Sequence, residues 1–380
     1  MNIIKKIIKN ILFLLDKFIK KENIIIFSSY IDFTDNSFAM YKYLKNNYSN
    51  YRFVWLSLNN NIKNKDKIKE IYSVNSFKGR YYFFKAKYVF ATHGLYNDFP
   101  LNKNRKFINL WHGMPLKAIG NLNSNSEKFK TNYDVIISTS EYFRKIMSKV
   151  FDKDIKNVIV SGQPRNDLLF EKTNFFNKMK INKEDYKNIF IWMPTFRNSN
   201  GILLQDGKYK ENYISVIPFN KIKELNKLLK EKEILLIIKL HPFDILQEHQ
   251  FEKLSNVIII KSGDLEEMDE QLYPLLGATD ALITDYSSVW IDYEILDKPI
   301  FFAMDDYNEY KKTRGLLFED FTNISPSPII DSYDKFLEFI ITYEKIDLNN
   351  KEVTDRYNKY KDNKSCERIA KYLRIDKDEI

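Results

Sequence analysis

Four histidines occur among 380 residues, and three of them close short apolar runs. His112 follows Phe107–Leu110 within the stretch Trp111-His112-Gly113-Met114-Pro115-Leu116-Lys117. Imidazole exchanges its proton near neutrality, so His112 is placed to take a proton from an attacking hydroxyl. Gly113 beside it allows a tight turn or a close approach of backbone to a ligand. A histidine hydrogen-bonded for structural reasons at a strand end explains the same pattern, and both readings stand on local physics. His93, in Thr92-His93-Gly94, ends a second run and reads as a further substrate contact or a structural residue. His249 lies in a Gln- and Glu-rich helical stretch and reads as solvated.

The third run, Ile234–Ile238, leads into Lys239-Leu240-His241-Pro242. Pro242 stiffens the bend. Strand alternation aims Lys239 and His241 to one side, where they suit a phosphate oxygen. Asp285-Tyr286-Ser287-Ser288 follows Ala281–Thr284 and precedes the helical pattern Val289–Leu296. The hydroxyls of Ser287 and Ser288, with the free N–H groups of a helix start, form a phosphate cradle. Capping by Asp285 or Ser287 uses the same geometry. The Asp285 carboxylate repels phosphate, so its expected part is to orient backbone or a ribose. Basic groups stand at similar junctions: Arg165 in Gly162-Gln163-Pro164-Arg165-Asn166-Asp167, Arg197 in Pro194-Thr195-Phe196-Arg197, and Arg314 before Gly315. Any one of these arginines reads first as a fold-stabilising ion pair. Together, after strands, their planar forks suit phosphate.

Several function classes lose support. Cys366 is the one cysteine, which excludes a disulfide framework and a cysteine-rich zinc site within the chain. The acids Asp264, Glu266, Glu267, Asp305 and Asp306 read as loop acids, and no metal is expected. Neither a Gly-x-Gly-x-x-Gly nor a P-loop pattern occurs. The formal charge of +9 favours an acidic partner. Lysines are scattered rather than interleaved with aromatics on one module, so nucleic acid is not the expected partner.

The elements that must position these groups alternate. Asn23–Ser28, Arg52–Leu58, Tyr88–Ala91, Phe107–Leu110, Val135–Ser138 and Val158–Ser161 read as strands, with helices over Ser37–Asn46, Ser76–Ala86 and Ser140–Lys149. A second series comprises Ile189–Met193, Leu235–Leu240, Val257–Ile260, Ala281–Thr284 and Pro299–Phe302, with a helix over Pro218–Glu231. Such alternation predicts parallel sheets of α/β class, whose ligands bind outside the carboxyl ends of the strands. The expected division is an amphipathic helix over 1–21, a first domain over 22–172 and a linker over 173–187. A second domain over 188–345 and a helical segment over 346–380 complete it, with one cleft between the domains. In the first segment Lys5, Lys9, Asp16, Lys17 and Lys20 form a polar face opposite Ile4, Ile8, Ile11, Leu12, Leu15 and Ile19. The run is too short to span a bilayer, and it suits an anionic membrane surface or a helix packed on its own protein.

Taken in order, these islands, with Asp292-Tyr293, Lys298-Pro299 and Arg314-Gly315, resemble the CDP-glycerol glycerophosphotransferase family of teichoic acid primases and polymerases. The resemblance covers roughly residues 24–330. It implies a GT-B-like fold of two Rossmann-type domains facing a central cleft, in a peripheral protein of the cytoplasmic membrane face. The implied reaction moves polyol phosphate from CDP-glycerol or CDP-ribitol to an undecaprenyl-diphosphate-linked or polymer acceptor, releases CMP and needs no cofactor. His112 would match the general base and His241 a contact to donor phosphate. Ser287 and Ser288 would match the diphosphate site, with Arg314 or Arg197 adding positive charge. The family's glycine-bearing stretch after Arg-Gly is replaced by Thr322–Pro328. Two other functions fit the fold or the charge: a nucleotide-sugar glycosyltransferase and a non-catalytic basic binding protein. Product linkage separates the first, and binding without nucleotide turnover the second.

Overall fold

Strands buried on both faces need apolar residues at every position rather than alternate ones, and the strand sequences of this chain read that way. The computed structural model describes residues 11, 13–14, 16–59, 68–96, 102–122, 132–195, 213–240, 254–261, 263–314, 316–317, 321, 328–346 and 354–375. Two units pack separately. The first comprises the chain up to Met114, Ile119–Leu168 and the chain from Asp362 onward; the second comprises Pro115–Ala118 and Leu169–Lys361.

In the first unit, seven strands form one sheet: β1 (Glu22–Ser28), β2 (Arg52–Ser57), β3 (Ile71–Ser73), β4 (Ala86–Ala91), β5 (Lys106–Asn109), β6 (Val135–Ser138) and β7 (Val158–Val160). Their order is β3-β2-β1-β4-β5-β6-β7 and every pairing is parallel. Ile25, Ile26, Phe27, Val54, Val89, Phe90 and Ile108 have no exposed surface. The helices Phe77–Lys85 and Glu141–Val150 begin at Ser76 and Ser140, whose side chains accept from Gly79 N and Phe143 N. The helix Ser365–Tyr372 packs against the helix Asp35–Asn47. The Asp167 carboxylate fixes its start, accepting from Ser365 N at 2.8 Å and Cys366 N at 2.9 Å. Gly162 has φ +80, and a β-carbon there would lie 2.5 Å from the Ser365 hydroxyl oxygen.

The second unit repeats the plan with β8 (Asn188–Met193), a small hairpin β9 (Tyr213–Ile214) and β10 (Ile217–Pro218), β11 (Ile234–Lys239), β12 (Val257–Ile260), β13 (Ala281–Thr284) and β14 (Ile300–Phe302). The five-stranded sheet has the order β12-β11-β8-β13-β14, again parallel throughout. Ile222, Leu225 and Leu229 form the buried face of the helix Ile222–Glu231. Each such side chain contributes about 1.5–3 kcal/mol by leaving water. Residues 173–187, expected as a linker, instead contain the helix Phe175–Lys178 and a turn of 3-10 helix, Lys183–Asp185. Thr173 ties this stretch to its own unit by donating to Glu270 at 2.8 Å.

The amino-terminal stretch corrects the expected polar face. Residues 11, 13–14 and 16–18 are helical, but Asp16 points inward and is 1% exposed. Its carboxylate pairs with Arg105 and Lys21, both buried. Two cations already inside the protein fix the direction of the one acid more strongly than the periodicity of isoleucines does. Ile11, Leu14 and Phe18, spaced three and four apart, are the exposed apolar groups, with Lys17 and Lys20 also exposed. The expected positions Ile4, Lys5, Ile8, Lys9, Leu12 and Leu15 lie outside the described residues. Among the described residues no helix is long and apolar enough to cross a membrane.

Candidate active site

In each sheet the strand order reverses between the first strand and its fourth-strand neighbour, β1/β4 and β8/β13. Connections leave in opposite directions there and open a crevice at the carboxyl ends. Thr92 and His93 follow β4, and His112 follows the adjacent β5. Thr195 and Asp285 stand beyond β8 and β13.

His112 lies on a turn built from two left-handed residues, Trp111 at φ +49 and Gly113 at φ +136. The second conformation is closed to nearly all L side chains, which accounts for glycine at 113. Asn36 pins this turn. Its side-chain N–H groups donate to Leu110 O at 3.1 Å and Trp111 O at 2.9 Å, while its oxygen accepts from Arg165 N at 3.0 Å. The Arg165 guanidinium donates to His112 O at 3.0 Å and to Asp35 at 2.8 Å. Arg165 thus holds the histidine loop by the His112 carbonyl. Asp167 belongs to the capping of the helix Ser365–Tyr372, and Asn166 is fully buried.

The Nδ1 of His112 lies 3.3 Å from the Thr92 carbonyl. A carbonyl only accepts, so Nδ1 carries the proton and Nε2 keeps its lone pair. The ring is accessible to solvent yet closely surrounded. Desolvation lowers its pKa, Asp35 and the Thr92 contact oppose that, and Arg165 adds to it. The group is therefore neutral at neutral pH, the state a base requires. His93 stacks on it with ring centroids 4.2 Å apart.

In the second unit Asp285 has no exposed surface, and its carboxylate accepts from Thr195 N at 2.9 and 3.0 Å and from the Thr195 hydroxyl at 2.9 Å. The carboxylate therefore holds the backbone and hydroxyl of Thr195. Ser287 and Ser288 are half-buried before the short helix Val289–Tyr293, and Ser287 accepts from Val289 N at 3.4 Å. Lys239, at the end of β11, donates to Leu240 O at 2.9 Å. The Lys117 ammonium lies 5.2 Å from the Tyr310 ring, which stacks at 3.5 Å on Tyr286. Leu317 N donates to Leu116 O at 2.9 Å, which fixes that segment. Arg314 ends the helix Tyr307–Arg314; its side chain, His241, His249, Arg197, Gly315 and Thr322–Ser327 lie outside the described residues.

Residues 10–374 match the family model described as CDP-Glycerol:Poly(glycerophosphate) glycerophosphotransferase. The chain belongs to that family. Family relatives include a teichoic acid poly(glycerol phosphate) polymerase of Bacillus spizizenii, 29% identical over 353 residues, with 84% of each chain covered. A teichoic acid poly(ribitol-phosphate) polymerase of the same organism is 28% identical over 86% of this chain and 53% of its own length, so the chain spans about half of that relative. A structure of the wall teichoic acid polymerase TagF, a histidine-to-asparagine variant soaked with CDPG, superposes with a TM-score of 0.75. It is 22% identical over 96% of this chain and 92% of that one. The fold is accordingly α/β and GT-B-like, with two Rossmann-like units.

Sequence reasoning passed over Asp35, Asn36 and Thr195. A helix start at Ser37 hid the first two, which open the helix that follows β1. The usable signal was position: polar residues just past the strand next to a reversal in strand order.

Proposed function

We infer that this chain transfers a polyol phosphate from a CDP-activated donor to a hydroxyl of a polymer acceptor and releases CMP. The acceptor oxygen attacks the β-phosphorus as its proton passes to Nε2 of His112. A new P–O bond forms, and the bond from β-phosphorus to the bridging oxygen breaks. That oxygen leaves with the electron pair as part of CMP. The observation that carries the reading is the tautomer of His112, fixed by Thr92 with Nε2 unprotonated, in a chain of this family. CMP is a good leaving group, so alignment and charge neutralisation are the main demands. The first unit supplies the base. In the second, Ser287 and Ser288 with Lys239, His241, Arg314 and Arg197 bind the donor phosphates, and Asp285 holds Thr195 in place.

The acceptor hydroxyl is undecaprenyl-diphosphate-linked or belongs to a polymer, and the protein works as a peripheral protein of the cytoplasmic membrane face, the membrane contact being the part that the amino-terminal stretch bears on. Support comes from the exposed stripe Ile11, Leu14 and Phe18 beside Lys17 and Lys20, an arrangement suited to anionic lipid. Leu14→Ser combined with Phe18→Ser should cut co-sedimentation with anionic phospholipid vesicles roughly tenfold. Unchanged sedimentation would remove the membrane reading.

The decisive experiment measures CMP release with CDP-glycerol and separately with CDP-ribitol, over membranes carrying the lipid-linked acceptor. Acceptor-dependent CMP from either donor supports the reading and names the polyol. His112→Asn should lower turnover by about 10²–10⁴ with the fold intact. Wild-type turnover in that variant would remove His112 from the chemistry.

A further inference from the structure

His93 has no part in the transfer so far, yet it lies flat on the ring that does. The two imidazole planes are inclined by 5° at a centroid separation of 4.2 Å. One fully buried residue, Thr92, holds both: its carbonyl faces Nδ1 of His112 at 3.3 Å and its hydroxyl pairs with Nδ1 of His93 at 2.9 Å. Thr92 is itself tied to the first strand, its N–H donating to Ser28 O at 3.2 Å. The Tyr30 ring also approaches His93, with centroids 5.4 Å apart. Asp35, the first residue of the helix Asp35–Asn47, and Arg165, after β7, are the charged groups acting on the pair.

Two imidazoles at this separation resist both being cationic. Burial first, and the neighbouring His112 second, push the pKa of His93 down to about 4, with Asp35 opposing. When His112 takes the acceptor's proton, His93 therefore remains neutral. A flat neutral ring against an imidazolium is an attractive partner, and it excludes water from the covered face.

We propose that His93 is a positioning residue for the transfer, an uncharged plate that fixes the plane of His112 and keeps one face of it dry. The proposal rests on His112 acting as the base. The chain has only four histidines, so a 13C-histidine spectrum of the full-length protein can be assigned with single variants. His93→Ala removes the plate, and His93→Phe keeps a flat uncharged ring. In His93→Ala the His112 titration midpoint should rise by about one unit toward the ordinary imidazole value as water reaches the ring. Turnover should fall roughly 10- to 100-fold, with donor KM changed less than about twofold. His93→Phe should keep the wild-type midpoint and turnover within about threefold. An alanine variant with unchanged midpoint and turnover overturns the proposal. So does a folded phenylalanine variant as impaired as alanine, because the role would then belong to the ring nitrogens. The midpoint is read without substrate. Failure of the wild-type protein to release CMP thus counts against the transfer reading, whereas an unmoved midpoint counts against the plate.

Discussion

Replacing Asp16 by alanine should detach the amino-terminal helix without unfolding the sheet behind it. Asp16 is 1% exposed, the Arg105 side chain 3% and the Lys21 side chain 5%. Arg105 reaches both carboxylate oxygens, at 3.2 and 3.0 Å, and Asn102 donates to the Asp16 carbonyl at 2.8 Å. Desolvation already lowers the pKa of Lys21 and of Arg105, with Asp16 working against it in both. Removing the acid leaves two buried cations without their counter-charge, which costs about 3–5 kcal/mol. The cheapest relief is for the helix to lift and let water reach both. At 1.36 kcal/mol per decade, amide exchange at 16–20 should accelerate by roughly two to four decades. Exchange in the central strands β1 and β4 should stay as it was. Asp16→Ala combined with Lys21→Met and Arg105→Met replaces the ion cluster by apolar groups and should restore most of the protection. Exchange at 16–20 that changes less than about threefold in the single variant would refute the reasoning, since other contacts would then hold the helix.

Asp285→Ala removes the carboxylate that accepts from the half-buried N–H and hydroxyl of Thr195, at about 1–3 kcal/mol. The expected outcome is a lower melting temperature and a donor KM raised about tenfold, with an unchanged His112 titration. A wild-type KM would show that Thr195 has no bearing on the donor. Stability should also fall in acid through the window between 6.5 and about 4, where the unfolded chain protonates His93 and the native protein does not. The slope is at most about 1.4 kcal/mol per pH unit and the total at most about 3–4 kcal/mol. Above 6.5 neither state binds that proton, and the contribution is level. The urea midpoint of wild type should fall relative to that of His93→Phe as pH drops through this window; parallel curves would contradict the assignment.

The strands could be read from sequence because parallel sheets demand continuous apolar runs, and Ile234–Ile238 or Ile24–Phe27 satisfy that demand in isolation. β3 could not: Ile71–Ser73 is three residues, all half-buried, whose place at the sheet edge is set by pairing with Trp55–Ser57. His112 and Asp285 stood out through position after a strand. Their working partners did not, because Asn36 and Arg165 meet across 129 residues of sequence and Thr195 meets Asp285 across 90. Asp16 was assigned to the wrong face for the same reason. Helical periodicity counts neighbours along the chain, whereas Arg105 lies 89 residues away.

The union of Asp167 with the helix Ser365–Tyr372 has a consequence for synthesis. Ser365 is 198 residues beyond Asp167, and all of the second unit except Pro115–Ala118 is encoded between them. A ribosome delivers the second unit complete before the first has received its last helix. The nascent first unit therefore waits with Gly162 and Asp167 uncovered, as an open seat in need of a late arrival. Loss of the residues after Asp362 should accordingly injure the half of the protein made earliest, the half that holds His112.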